Sequence, residues 1–179
     1  MPEEPHLRKG ELAFDLKKTI FLTFLITALG YWLWFGGILL APYLRSRSSP
    51  WASFAYAVYS PVCHQIAGRS LRCFGRPLAV CARCTGIYLG FLIGLGLYPF
   101  LRGWRRLSLP SSRVFYLVSA PILLDTTANF LRLWQTANGA RLASGVIWGT
   151  ILPFYFITGV ADLVISRKKK RLKSAPGSP

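Results

Sequence analysis

The chain has 179 residues, of which 53% are hydrophobic and 15% aromatic, and it carries 22 Lys and Arg against 6 Asp and Glu. This apolar content excludes a disordered tail or a collagen-like fibre, and the charged fraction of 16% is below the value of about 25% that is usual for soluble domains. The net charge of +16 does not indicate nucleic-acid binding, because the basic residues lie between apolar runs rather than on one soluble face.

The first long apolar run is predicted to cross a membrane. Residues 19–44 carry no charged side chain and lie between two basic pairs, Lys17 with Lys18 and Arg45 with Arg47. A helix needs about 20 apolar residues to span a bilayer. The run is longer than the apolar core of a cleavable signal peptide, which is about 7 to 15 residues. We therefore expect a permanent transmembrane helix.

The next apolar segment, residues 51–62, is too short to span. A helix of that length rises only about 18 Å, whereas the hydrocarbon core is about 30 Å thick. We expect an interfacial or re-entrant helix here.

Three further apolar runs predict three more spans. Residues 84–101 precede a cluster of arginines, and we expect their helix to begin earlier, near Pro77. Residues 114–131 contain one acid, Asp125, and residues 142–161 are followed by Asp162 and a basic run. The sequence thus predicts an all-α polytopic membrane protein with four transmembrane helices and one short interfacial or re-entrant helix.

Charge and composition also predict domains and orientation. We expect an N-terminal tail over residues 1–18, a transmembrane domain over residues 19–166 and a basic, disordered tail over residues 167–179. The termini and the second loop together hold more Lys and Arg than the other two loops, so the positive-inside rule predicts a cell-membrane protein with both termini in the cytoplasm. The basic tail is either a stop-transfer anchor or a ligand of anionic lipid headgroups.

Glycines recur every fourth residue in two of the predicted spans. Gly86, Gly90 and Gly94 share one face of the second span, and Gly145 and Gly149 share one face of the fourth. Small residues at this spacing let helix backbones approach closely in lipid, so we expect these two faces to be packing surfaces.

The four cysteines are grouped in one short part of the chain. Cys81 and Cys84 have CxxC spacing, and Cys63 is followed by His64. If the CxxC pair opens a helix, its sulfurs lie one turn apart on one face, and Cys63 with His64 could complete a tetrahedral Cys3His zinc site. Cys73 is an alternative fourth ligand. Redox-active thiols, structural disulfides or ordinary buried cysteines remain alternatives on these residues.

A second polar group lies in the third span and after it. Asp125 and Asn129 are on one helical face, and an acid within a span usually has a partner, here Arg132 or Arg141. In a four-span layout this group lies on the same membrane side as the cysteines, so we expect the two groups to meet. Asp125 and His64 are candidates for proton transfer. The candidates for binding an anionic headgroup, a phosphate or a cofactor are Arg69, Arg72, Asn138 and Arg141.

These motifs resemble those of an uncharacterised prokaryotic family of integral membrane proteins, domain of unknown function 2085. The resemblance rests on the segments 60–65, which read Ser-Pro-Val-Cys-His-Gln, and 79–88, which read Ala-Val-Cys-Ala-Arg-Cys-Thr-Gly-Ile-Tyr. It extends more weakly over residues 50–150. It implies a membrane protein with a Cys-His constellation and no established activity. Cys73 has no counterpart in the family pattern, which implies that Cys63, Cys81 and Cys84 are the core set.

Two functions are compatible with this pattern. In the first, Cys63, His64, Cys81 and Cys84 bind zinc at one membrane face. In the second, the protein is a membrane thiol-disulfide oxidoreductase in which Cys81 and Cys84 pass electrons to a quinone. The second function rests on an analogy with other four-helix membrane oxidoreductases.

Overall fold

The computed structural model describes residues 6–102 and 111–174, without the side chains of residues 6–15, 168, 169 and 171–174. It is mostly helical, at 78%. Within the described ranges there are five α-helices, which are α1 (His6–Ser46), α2 (Trp51–Tyr59), α3 (Ala82–Leu101), α4 (Ser112–Phe130) and α5 (Asn138–Ser174). A 3-10 turn (Ala67–Arg69) and a hairpin of β1 (Arg72–Cys73) and β2 (Arg76–Pro77) lie between α2 and α3.

Three of these helices are long and apolar enough to cross a membrane. The candidate spans are Leu16–Ser46 in α1, Ala82–Leu101 in α3 and Asn138–Arg167 in α5. The expected third span is also a helix, α4, but it contains Arg113 and Asp125 and is not among the helices that are long and apolar enough to cross a membrane. The helical membrane architecture is therefore supported, and the fourth span stays a prediction.

Several helix ends differ from the sequence-based expectation. Helix α3 begins at Ala82 and not near Pro77, because Pro77 is paired in the hairpin and residues 78–80 form a buried loop. Helix α1 already begins at His6, within the expected tail. Helix α5 continues through the basic run to Ser174, where disorder was expected, because Lys and Arg are good helix formers and favour helix C-termini. Residues 175–179 are outside the described ranges.

The predicted glycine faces pack against each other. A Cβ atom placed on Gly86, Gly90 or Gly94 would overlap the backbone carbonyl of a facing residue in α5. Gly145 and Gly149 face α3 in the same way, against the carbonyls of Arg83 and Ile87. This confirms the prediction that the glycines bring two helices into backbone contact.

Helices α1 and α4 pack against this pair. Helix α1 closes one side through a core of Ile20, Phe91, Leu95, Tyr98, Ile157 and Ala161. Helix α4 lies on the other side, where the Trp148 indole donates a hydrogen bond to the Ser119 hydroxyl at 2.8 Å.

A second core lies under the segment between α2 and α3. It contains Ile38, Ala41, Tyr56, Tyr59, Cys63, Leu78, Ala79 and Val80. Helix α2 is held on α1 by the Tyr59 hydroxyl, which donates to the Trp34 carbonyl at 2.6 Å and occupies the space that a side chain at Gly37 would need. The Tyr56 hydroxyl donates to the Pro77 carbonyl and so ties α2 to the hairpin. This core fixes the two segments that carry the cysteines.

Candidate metal centre

Three of the four cysteines converge at the point where the loop that follows α2 meets the start of α3. The sulfurs of Cys63, Cys81 and Cys84 all lie within 4.8 Å of one another. Cys63 is 7% exposed, and the other two are half-buried. We call these three residues the cysteine trio.

Local backbone structure explains the convergence. The backbone N–H of Cys63 donates to the Tyr59 carbonyl at 3.1 Å, so the chain turns tightly at the end of α2. Cys81 is the N-cap residue of α3, with extended backbone, and Cys84 is one turn into the helix. The backbone N–H of Cys81 donates to the Cys63 sulfur at 3.1 Å and thereby joins the two segments.

The same geometry favours the thiolate form of Cys81. Hydrogen bonding with the Cys63 and Cys84 side chains holds the pKa of the Cys81 thiol well below its usual value, and the backbone amides of Cys84 and Arg83 act in the same direction. Burial opposes this effect by raising the pKa, but it is the weaker influence. A metal ion and a redox reaction both require such a thiolate.

The trio fits a tetrahedral metal ion. Zinc–thiolate bonds of about 2.3 Å would separate sulfurs by about 3.8 Å in a tetrahedral site. The three sulfurs lie within 4.8 Å of one another, so small side-chain shifts would bring them to that separation. Three sulfurs from two chain segments, one of them accepting a backbone N–H bond, form a donor set suited to zinc.

The other predicted ligands are placed differently. His64 is exposed and is not part of the group of converging ligand atoms. Cys73 is half-buried in β1 and is also outside that group, as the resemblance implied. The structure thus brings three sulfurs together and does not bring the His64 imidazole to them.

A cavity of about 600 Å³ opens directly beside the trio. It has a polar end, formed by the trio and by His64, Arg69, Arg83, Thr126, Asn129 and Arg141. It also has an apolar wall, to which α3, α4 and α5 contribute Ile87, Ile122, Leu123, Phe130 and Trp148. The cavity therefore brings the cysteines together with Thr126 and Asn129 of α4 and with Arg141 of α5.

The partner of Asp125 differs from the two arginines that its position in the sequence predicts. Asp125 forms an ion pair with Arg83, the residue between the two CxxC cysteines, and not with Arg132 or Arg141. Both side chains are largely buried, at 17% exposure for Arg83 and 19% for Asp125. Asp125 also accepts hydrogen bonds from the Trp134 indole and the Thr136 hydroxyl. No sequence spacing indicates this pair, because it depends on how α3 and α4 are placed in the fold.

The candidate anion-binding residues separate into two sets. Arg141 is 6% exposed, lines the cavity and donates to the Asn129 side-chain carbonyl at 2.9 Å. Arg69 also lines the cavity. Asn138 instead donates to the Gly68 carbonyl at 3.1 Å and so positions the 3-10 turn that carries Arg69. Arg72 is exposed and is not among the residues that line the cavity.

Replacing Asp125 by Asn is expected to destabilise the protein by about 3 kcal/mol, because the buried Arg83 guanidinium loses its counter-charge. The matched control is Asp162→Asn, since Asp162 is exposed, and its effect should stay within about 0.5 kcal/mol. Unfolding in mixed micelles with increasing dodecyl sulfate measures both variants. Equal effects at the two positions would contradict the role of the ion pair.

Comparisons with known proteins agree with the motifs. The profile of a family described as "Predicted membrane protein (DUF2085)" matches residues 63–155, which include the trio, Asp125 and Arg141. An uncharacterized protein of Methanocaldococcus jannaschii is 33% identical over 152 residues, which cover 82% of this chain and 97% of the relative. No solved structure matches the chain.

Proposed function

This chain belongs to the DUF2085 family of predicted membrane proteins, and we propose that its cysteine trio, Cys63, Cys81 and Cys84, forms a zinc centre. The observation that carries this proposal is the convergence of three sulfurs within 4.8 Å at the polar end of a cavity. The chemistry of the donor set favours zinc, because soft thiolates select zinc over magnesium, calcium or manganese.

We propose that the fourth position of the zinc ion is open to the cavity. All three cysteines line the cavity, whereas structural zinc sites are closed by four protein ligands. Zinc bound there would supply Lewis-acid chemistry. His64 is exposed on the cavity wall, where its imidazole can accept or donate a proton, and Asp125 orients Arg83 toward the same space.

We further propose that α4 is a fourth span and that both termini lie in the cytoplasm. Large apolar side chains are exposed along α4, namely Val114, Tyr116, Leu117, Leu123 and Leu124, which suits contact with lipid. The cysteine trio then lies at the outer face of the cell membrane, and the basic run at the end of α5 contacts anionic lipid headgroups on the inner face. A periplasmic reporter fused to the C-terminus should be inactive and a cytoplasmic one active. The reverse pattern would contradict this orientation.

A thiol-disulfide oxidoreductase is the second candidate function. The observation that favours it is the position of Cys81 at the N-terminus of α3, with Cys84 one turn away and their sulfurs within 4.8 Å of each other. In this function Cys81 and Cys84 form a disulfide while two electrons and two protons reduce a quinone in the cavity. A zinc ion would use the Cys63 sulfur as its third ligand, which accounts for the position of Cys63 beside the other two cysteines. A CxxC redox pair does not require a third sulfur.

Thiol titration of the detergent-purified protein distinguishes the two functions. With zinc bound, we expect only Cys73 to react quickly with a thiol reagent, and all four cysteines to react after treatment with a strong chelator. The Cys73→Ser variant is the control, because it should remove the fast reaction and leave the chelator-dependent reaction unchanged. Thiols that are released only by a reductant would refute the zinc centre and support the redox function.

A further inference from the structure

We infer that the cavity beside the cysteine trio binds an anionic phosphate group, which is held by Arg69, Arg83 and Arg141. This inference deepens the proposed function, since it names the chemistry of the ligand for the same cavity. It uses residues other than the zinc ligands, so that either proposal can fail alone.

The first support is the charge of the cavity. Three arginines from three different elements, Arg69, Arg83 and Arg141, line the same cavity. Arg83 forms an ion pair with Asp125, and among the side chains that the structure describes no carboxylate is paired with Arg69 or Arg141. Three thiolates with one divalent ion would add one negative charge. The cavity therefore keeps a net positive charge that an anion would neutralise.

The second support is that the largely buried guanidinium groups of Arg83 and Arg141 have few hydrogen-bond partners. Arg141 is 6% exposed, and the one side-chain hydrogen bond that the described part of the chain gives it is to Asn129. The Nε atom of Arg83 is buried and has no hydrogen-bond partner among the described residues. The other nitrogens of Arg83 donate to Asp125 and Thr126. Leaving a donor of a largely buried guanidinium group without an acceptor is costly, so the Nε atom of Arg83 and the open donors of Arg141 indicate that a ligand in the cavity supplies acceptors.

The arrangement suits a phosphate group better than a carboxylate. Guanidinium groups bind planar and tetrahedral oxyanions through paired N–H bonds. A terminal phosphate offers three free oxygens, enough for guanidinium groups arriving from the 3-10 turn, α3 and α5, whereas a carboxylate offers two.

The apolar wall indicates that the phosphate is attached to a hydrocarbon chain. Ile87, Ile122 and Leu123 continue from the arginines toward α4. Leu123 is 62% exposed and Phe130 is 85% exposed, so this wall leads out to the surface that we assign to lipid. An amphiphile can therefore place its headgroup on the arginines and its chain along α4.

Native mass spectrometry of the full chain in detergent tests this inference. The probes are dioctanoyl phosphatidic acid, dioctanoylglycerol, which has the same chains without phosphate, and inorganic phosphate. We expect one phosphatidic acid per chain and no saturable binding of dioctanoylglycerol. Arg141→Gln and Arg69→Gln should each weaken phosphatidic acid binding about tenfold or more. Arg72→Gln should leave it unchanged, because Arg72 is outside the cavity lining.

The outcomes separate the two proposals. The phosphate site would be overturned if the wild type, Arg141→Gln and Arg69→Gln bound phosphatidic acid equally well. Arg69→Gln is included because Arg69 is exposed, so this substitution should leave folding intact. Inorganic phosphate that displaces phosphatidic acid at equal concentration would support the phosphate site and assign it to a free phosphate. Zinc is counted in the same samples. Arginine-dependent binding by a protein that holds no zinc would refute the zinc centre while it upholds the phosphate site.

Discussion

Serine substitution of any one member of the cysteine trio is expected to reduce bound zinc from about one ion per chain to a small fraction of that. Each of Cys63, Cys81 and Cys84 supplies one of three sulfurs that lie within 4.8 Å of one another. Two remaining thiolates cannot hold zinc against a competing chelator, because the hydroxyl of Ser is a far weaker ligand than a thiolate. Elemental analysis of the purified variants measures the change.

The control for this series is Cys73→Ser, which should retain the full zinc content. Cys73 lies in β1, outside the trio, and is half-buried like Cys81 and Cys84. His64→Ala should also retain zinc, because an open fourth position does not need the imidazole. Loss of zinc in Cys73→Ser, or its retention in all three trio variants, would contradict the proposed centre.

Gly90→Leu is expected to prevent the chain from reaching its folded state. A Cβ atom at Gly90 would overlap the carbonyl oxygen of Val146, and the backbone of Thr150 lies beside it. Backbone atoms cannot rotate away as a flexible side chain does, so α3 and α5 must separate. Overpacking in a core costs about 1–3 kcal/mol even where side chains can adjust, and we expect a larger cost here. The fraction of monodisperse protein after detergent extraction measures the loss.

Gly96→Leu is the matched control on the same helix. A Cβ atom at Gly96 would meet no atom within 4 Å, because this position faces away from α5. Leucine is also the better helix former and suits a lipid-facing surface. Gly96→Leu should therefore extract as well as the wild type. Similar losses for the two variants would mean that the close contact between α3 and α5 is not what the glycines provide.

The membrane helices were predictable because a bilayer imposes their length. A span must satisfy its backbone hydrogen bonds internally over about 20 apolar residues, and the uncharged runs in this sequence meet that requirement. The glycine faces were predictable for a similar reason, since the period of four fixes which residues share a helix face. The residue at which α3 begins was not predictable from the sequence. Leu78, Ala79 and Val80 are apolar because they are buried under α2, and not because they enter lipid.

The candidate site was predictable in composition but not in its contacts. The grouping of Cys63, Cys81 and Cys84 along the chain indicated a common site, and the order of the spans placed Asp125 on the same side. The Arg83 partner of Asp125 was missed, because a contact between α3 and α4 leaves no trace in spacing. The sequence also gave no signal that Arg141 would be buried to 6% exposure, which depends on how α5 meets the cavity.

Zinc X-ray absorption spectroscopy on the detergent-purified protein tests the central claim most directly. We expect about one zinc per chain, with three sulfur ligands at about 2.3 Å and one lighter nitrogen or oxygen ligand at about 2.0 Å. Cys73→Ser should give the same spectrum. A protein without zinc, or zinc bound by nitrogen and oxygen ligands alone, would contradict a metal centre built on the cysteine trio.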